Sequence, residues 1–402
     1  MKILSINIRA TQGGAGRVGY DLHHRLKAMG EDCHLLYGYA SGIQADPRTA
    51  DEPDVQWLGS RSAVLTNFAS HVLAGREIRT AGIKHVRAHI ARTDVIHLHA
   101  PHHYYLNWNT VTRLLAESGK PVVISAHDWW LVSGRCGFAR DCMGWRRACG
   151  ECGSRRFEDL PSLRDRSRQV RVSRHAALRR LRSRLAIVCP SEHLCNDHRQ
   201  IFPDLDVRFI PNALDREFEA AVSGFQLSTD RNDLVFCASD LASPGKIDAG
   251  LVRTLASEFG GNVKLVGRSS PFSDTSATAL GEVRDRTELA RIFASTRALM
   301  FTSQMDNAPL TIIEALSVGA YVVAYPSAAA QEMLRLVGGR CAESPDEAYE
   351  IVRTGRENEL YGGQSHLELA RRAREIWSGE TMAAAYREVY RDLSRMSDEV
   401  QA

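Results

Sequence analysis

Residues 298–324 read ALMFTSQMDNAPLTIIEALSVGAYVVA, and the order of residue types in this stretch sets the fold. The apolar run at 298–302 predicts a strand, SQMDN a short loop, 309–317 a helix, Gly319 a turn and YVVA at 321–324 a second strand. Strand, helix and strand in succession form the unit of a parallel α/β sheet. The loop opens the helix: Asp306 and Asn307 can cap it and Pro309 fits its first turn. The amides from Asn307 through Ala308 and Leu310 to Thr311 then offer a seat for phosphate. Glu314 shares a face with Leu310, one turn earlier, so its carboxylate can hold a ribose diol. On spacing alone an equal reading makes Asp306 only a helix cap and Glu314 an ordinary surface acid.

The same alternation extends both ways. Short β-branched runs at 2–8, 33–37, 95–99, 122–126 and 185–188 are separated by amphipathic stretches. The rhythm pauses at 211–233, where a linker is expected, and resumes with strands at 234–238, 263–266, 298–302 and 321–324. Helices are expected to begin near Lys246, Thr287, Pro309 and Ser327. The fold class is therefore α/β, with one Rossmann-like domain over 1–210, a linker at 211–233 and a second such domain over 234–378. Two open sheets of this kind are expected to face each other across a cleft at the carboxyl ends of their strands. A last helix over 379–402, with Met382, Ala385, Val389 and Leu393 as a buried stripe, is expected to pack back on the first domain.

Composition bounds the function. The 402 residues are too many for one ordinary core and suit two or three domains. A net charge of +3 gives no reason on average to invoke nucleic acid or membrane as the main partner. No window approaches 18 apolar residues, and MKILSINIRA lacks a signal-peptide pattern. The reading is a cytoplasmic protein. Nine cysteines without a secretion signal favour reduced thiols or metal ligands over a disulfide framework.

The 306–319 stretch resembles the acid, seven residues, acid signature of the retaining glycosyltransferases of family 4. Asp306 stands where that family usually has glutamate, and Asn307, Pro309, Leu310, Ile313, Glu314, Ala315, Leu316 and Gly319 fall on its pattern. The resemblance implies a GT-B fold, contact of the first acid with the transferred sugar, and a ribose on Glu314. Aspartate shortens the first acid's reach by one methylene. Other stretches resemble the same family over nearly the whole chain. Gly13, Gly14, Ala15, Gly16 and Arg17 follow the first strand as the family's glycine-rich loop does, where glycine permits close backbone approach to a diphosphate or acceptor. DVIHLH at 94–99, with His99, His102 and His103, resembles the acceptor-side strand and loop. SAHDWW at 125–130 resembles the next strand end, and the resemblance sets His127 near the reacting sugar with Asp128 beside it on the acceptor side. PSEHL from Pro190 and IPNALD from Ile210 resemble the strand ends that close the first domain. CASDLASPGK at 237–246 resembles the donor loop. Lys246 is its cation, Gly245 stands where an Arg is usual, and Ser239, Gly267 and Arg268 complete the expected donor side.

What this implies is a retaining transfer from a nucleoside-diphosphate sugar to a saccharide or lipid-linked saccharide, in bacterial polysaccharide assembly. His127, Lys246 and Asp306 are the expected catalytic residues. With no Asp-x-Asp clamp beside a donor loop, no catalytic metal is expected, and a cation with helix amides stabilises the departing diphosphate. A sugar-nucleotide epimerase or phosphorylase is the alternative on this architecture, and a nucleic-acid-binding module is the non-enzymatic one.

Two features lie outside that chemistry. Cys136, Cys142, Cys149 and Cys152, in an insertion at about 134–153, are spaced so that four thiols could close a structural zinc site. Residues 155–184 carry eleven Arg against Glu158, Asp159 and Asp165. Leu163, Val170, Ala177 and Leu181 make a rough stripe there, suggesting a basic helix that lies on an anionic inner-membrane surface or is simply solvated.

Overall fold

The computed structural model describes residues 1–40, 42–59, 61–138, 142–152, 162–224, 231–243, 245–355 and 365–401, side chains of 398–401 aside. It divides into two compact units, Met1–Pro211 with Glu380–Ala402, and Asn212–Gly379.

In the first unit, seven strands form one sheet in the order β3-β2-β1-β4-β5-β6-β7, and every pairing is parallel. They are β1 (Lys2–Asn7), β2 (Asp32–Tyr37), β3 (Val55–Trp57), β4 (Val95–His99), β5 (Val122–Ser125), β6 (Leu185–Cys189) and β7 (Asp206–Phe209). The helices are α1 (Gly14–Ala28), α2 (Arg61–Ala74), α3 (Ile83–Arg92), α4 (Trp108–Ser118), α5 (Gly144–Arg147), α6 (Ser167–Arg180) and α7 (Glu192–Ile201). β4, β5 and β6 are buried along their whole length, as a parallel sheet covered on both faces requires. This explains why β6 reads as an unbroken apolar run and why β4 and β5 are apolar apart from His97, His99 and Ser125. The edge strand β3 was not anticipated, and β7 was expected only as a strand end before IPNALD, by resemblance and not from its own pattern. At three and four residues, with half-buried positions, neither shows a clear period of two.

In the second unit the sheet order is β10-β9-β8-β11-β12-β13, again all parallel. The strands are β8 (Asp233–Asp240), β9 (Val263–Arg268), β10 (Thr278–Gly281), β11 (Thr296–Phe301), β12 (Tyr321–Ala324) and β13 (Arg340–Cys341). The helices are α8 (Arg216–Ser223), α9 (Ala249–Phe259), α10 (Arg286–Ala294), α11 (Leu310–Ser317), α12 (Ala328–Val337), α13 (Pro345–Thr354) and α14 (His366–Ile376). The stretch 211–233, expected to be linker, contains α8. Asp215 caps it by accepting from the Phe218 amide at 2.8 Å, and Phe218 and Val222, one turn apart, are buried in the second core. Two buried positions were too few to show as an apolar face.

The last helix, α15 (Gly379–Gln401), enters the first unit's contacts after Gly379. Met382, Val389 and Leu393 are buried, together with Tyr386 and Tyr390, whereas Ala385 is only half-buried. Arg387 reaches Glu31 at 2.8 Å and Asp392 reaches Arg208 at 2.9 Å.

Candidate functional site

The second unit gathers the residues expected on the donor side where β8, β9 and β11 end. Lys246 lies in the loop before α9, and its Nζ meets Asp306 Oδ1 at 2.6 Å, while Ser303 Oγ donates to Asp306 Oδ2 at 2.6 Å. Thr302 fixes that loop from the end of β11. Its hydroxyl donates to the Lys246 carbonyl at 3.1 Å and accepts from the Asp248 amide at 2.9 Å. Asp306 is therefore an ion-pair partner and not the cap of the following helix. The N-cap of α11 is Pro309, in extended conformation, and no side chain caps the helix. A proline supplies no amide there, so the first-turn N–H groups at the helix end begin with Leu310 and Thr311. Asn307 and Ala308 precede the cap, and the Ala308 carbonyl accepts from Asn212 Nδ2 at 3.2 Å.

Ser239, Gly267 and Arg268 come together at the neighbouring strand ends, where Arg268 Nε donates to the Ser239 carbonyl at 3.1 Å. Gly267 has φ 147°, and a Cβ there would lie 2.1 Å from the Ala238 carbonyl oxygen, so only glycine lets these two strands approach.

Glu314 is buried and does not face solvent as a surface acid would. Arg286 Nη2 stands 2.6 Å from Glu314 Oε1 and 2.7 Å from Asp215 Oδ2. Burial opposes the guanidinium charge, but the two carboxylates outweigh it and raise its pKa. Arg286 went unnoticed in the sequence because 28 residues separate it from Glu314. Its only local signal was its place just after Asp285, the cap of α10.

In the first unit, Gly14 and Gly16 open α1 after the 8–13 loop that leaves β1, and Arg17 follows on the same helix, its amide donating to the Gly13 carbonyl at 3.0 Å. A Cβ on Gly16 would lie 3.2 Å from the Ala10 carbonyl, whereas one on Gly14 would meet nothing within 4 Å. Gly14 thus leaves its backbone open to an approaching group. His99 Nδ1 and His127 Nε2 stand 3.3 Å apart with their rings stacked at 22°. Burial pushes the His127 imidazole down from 6.5 to about 4, against the pull of Asp128, and lowers that of His99 well below its ordinary value. Both rings are therefore neutral near pH 7. Asp128 accepts from the Trp130 amide at 2.8 Å and meets His102 Nε2 at 3.0 Å. Burial alone would raise the Asp128 carboxyl, but His102 and these hydrogen bonds leave it lowered. His102 also contacts His103 through the two Nδ1 atoms. The loop that carries them holds Ala100 at φ 40°, His103 at φ 67° and Tyr104 at φ 71°, a left-handed run that non-glycine residues seldom adopt.

Behind this cluster lies a buried polar chain that the sequence did not reveal. Tyr390 OH meets His97 Nδ1 at 2.7 Å, His97 Nε2 meets Ser125 Oγ at 2.8 Å, and Ser125 Oγ meets Tyr386 OH at 2.8 Å. The His97 ring lies against His99, with centroids 3.9 Å apart. The alternation in VIHLH places His97 and His99 on one sheet face, which was the available clue. Gly19 of α1 was also missed: a Cβ there would lie 2.7 Å from Asn7 Nδ2 and 3.3 Å from the His99 ring.

Among the described residues no three His, Cys, Asp or Glu side chains are grouped to hold a metal ion. Cys149 Sγ accepts from the Gly134 amide at 3.2 Å and Cys142 Sγ from the Gly144 amide at 3.4 Å. Burial raises the Cys149 thiol pKa. Cys136 and Cys152 are half-buried. The Arg-rich segment is described from residue 162 onward, so Glu158 and Asp159 lie outside the described residues. Of the stripe expected on it, Ala177 and Leu181 are buried in the first core, Val170 is half-buried and Leu163 is exposed.

Among the described residues no helix is long and apolar enough to cross a membrane. Residues 12–218 match the model of the family described as Glycosyltransferase Family 4. The chain is 30% identical over 413 residues to the putative colanic acid biosynthesis glycosyl transferase WcaC of Escherichia coli K12, across 98% of this chain and all of that protein. Among solved structures, Anabaena HepE in complex with UDP is similar with a TM-score of 0.62 at 14% identity, over 96% of this chain and 99% of that one. A glycosyltransferase from Rickettsia africae is similar with a TM-score of 0.61 at 12% identity, over 98% of both chains. These structural likenesses give the fold as GT-B. The strand ends, the glycine turns and the acid-bearing helix thus sit on a known enzymatic scaffold, and the chain belongs to glycosyltransferase family 4.

Proposed function

We propose that the protein transfers a sugar, with retention at the anomeric carbon, from a nucleoside diphosphate to a saccharide or lipid-linked saccharide in bacterial polysaccharide assembly. The observation that carries this reading is the Lys246–Asp306 pair, 2.6 Å long and next to the uncapped first turn of α11. When the glycosidic bond breaks, its electrons pass to the diphosphate. The Lys246 ammonium and the Leu310 and Thr311 amides are then donors held ready for that charge. Glu314 takes the ribose, steadied by Arg286, and Asp306 faces the transferred sugar. The acceptor hydroxyl attacks from the side the diphosphate leaves, and its proton passes to a diphosphate oxygen.

His127 binds the transferred sugar as a neutral imidazole, which can donate from one nitrogen and accept at the other. His99, His102, His103 and Asp128 form the acceptor side. Support for a nucleotide donor comes from HepE, whose structures hold UDP, UDP with glucose, or UDP-glucose. Support for the polysaccharide setting comes from the description of WcaC. No metal is assigned a step. Lys246→Ala is expected to lower kcat roughly 100- to 1000-fold at saturating donor, and a loss below about fivefold would remove Lys246 from the mechanism.

A further inference from the structure

Positive charge is concentrated in two segments of the first unit. Residues 61–92 carry six Lys and Arg and one acid, Glu77, and residues 162–184 carry nine Arg and one acid, Asp165. Both acids are engaged: Glu77 meets His71 at 2.8 Å, and Asp165 accepts from Ser167 Oγ at 2.7 Å and the Cys152 amide at 2.6 Å. The two segments therefore hold thirteen excess positive charges in a chain whose net charge is +3. They also touch, since the Leu163 amide donates to the Val72 carbonyl at 2.7 Å.

The same segments expose apolar side chains. Of eleven large apolar side chains exposed among the described residues, six lie here. On α2 the inward face is Ala63, Val64, Asn67 and His71, while Leu65, Phe68 and Leu73 point outward between Arg61 and Arg76. This outward face is held rigidly. The Asn67 amide group donates to the Tyr104 and Arg79 carbonyls at 2.7 and 2.8 Å and accepts from the Ile78 and Arg79 amides at 2.9 and 2.8 Å. It thereby fixes the loop that carries exposed Ile78 and Arg79. Leu163 stands 66% exposed beside the end of α2. α6 spends its own apolar face on the core and contributes arginines here, with only Val172 projecting as a large apolar side chain.

We propose that this face docks the protein on an anionic lipid bilayer. Leu65, Phe68, Leu73 and Ile78 enter the acyl boundary, and Arg76, Arg79, Arg164 and Arg168 meet the lipid phosphates. Charge favours any polyanion, but burying three aliphatic side chains favours lipid. A nucleic acid would instead call for stacking, and Phe68 is the only Phe, Tyr or Trp in either segment. The proposal goes beyond the transferase reading and does not depend on it.

The test is co-sedimentation of the full chain with vesicles of phosphatidylcholine, alone or mixed with phosphatidylglycerol. Binding is expected to require phosphatidylglycerol and to weaken as salt rises. Arg76→Glu with Arg79→Glu is expected to lower partitioning at least about 25-fold, at about fivefold for each arginine lost. Phe68→Ser with Leu73→Ser is expected to lower it at least about tenfold. Leu73, Arg76 and Arg79 face water and Phe68 is 45% exposed, with one edge on the Tyr104 ring, so circular dichroism checks that each variant keeps the parent fold; Leu65→Ser with Ile78→Ser serves if either pair fails to fold. Equal partitioning of parent and folded variants would overturn the proposal. So would tight, salt-sensitive binding of a DNA duplex with no binding to phosphatidylglycerol vesicles.

Discussion

At the scale of single residues, the buried Arg286 guanidinium ties the proposed ribose acid, Glu314, to Asp215, the cap of α8. Removing one partner of such a buried set strands the others, typically at about 3–5 kcal/mol. Arg286→Ala is expected to lower the unfolding free energy by that order in denaturant melts, and a loss under about 1 kcal/mol would mean that water already reaches the set. A second expectation concerns His127. Its pKa is lowered from 6.5 to about 4, so below pH 6.5 the unfolded chain binds a proton that the folded one refuses. Stability from this group is complete above pH 6.5 and is lost as the pH falls toward 4, on the order of 3 kcal/mol. His97, lowered by burial to about 3, acts with the same sign. Melting temperature should fall steadily from pH 7 to pH 5, and His127→Gln should flatten part of that slope. An unchanged slope in the variant would show that His127 is not buried neutral.

At the scale of elements, the strand ends decide where chemistry can sit. Gly267 allows β9 to end against Ala238 of β8, and a methyl group at 2.1 Å from that carbonyl cannot be accommodated without moving the backbone. Gly267→Ala is expected to cost at least about 2 kcal/mol in stability and to weaken any nucleotide binding in the second unit; an unchanged denaturation midpoint would refute this. Much of this level was legible in advance. The strands at 95–99 and 321–324 stand where the alternation placed them, because fully buried strands need mainly apolar side chains, His97 and His99 being the exceptions in the first. The short edge strands β10 and β13 were not legible: four and two residues long and largely exposed, they carry no apolar run. The first turn of α11 was half legible. Its helix was evident, but capping turned on Pro309 taking the N-cap, which freed Asp306 for Lys246.

At the scale of the molecule, the repeated α/β rhythm pointed to two sheets, whereas the links that knit each site together are separated too far along the chain to be read. Lys246 and Asp306 lie 60 residues apart, and His97 and Tyr390 are separated by 293. Each residue type could be suspected by itself, but only folding shows that they meet. In the proposed reaction the second unit holds a nucleoside-diphosphate sugar through Lys246, the start of α11 and Glu314. The most direct measurement is the thermal shift of the full chain with UDP-, GDP-, ADP- and dTDP-sugars. The account predicts stabilisation by one nucleotide class, about 2.7 kcal/mol at about 100 times the dissociation constant, and a smaller shift in Glu314→Gln. A folded protein that none of the four stabilises would contradict it.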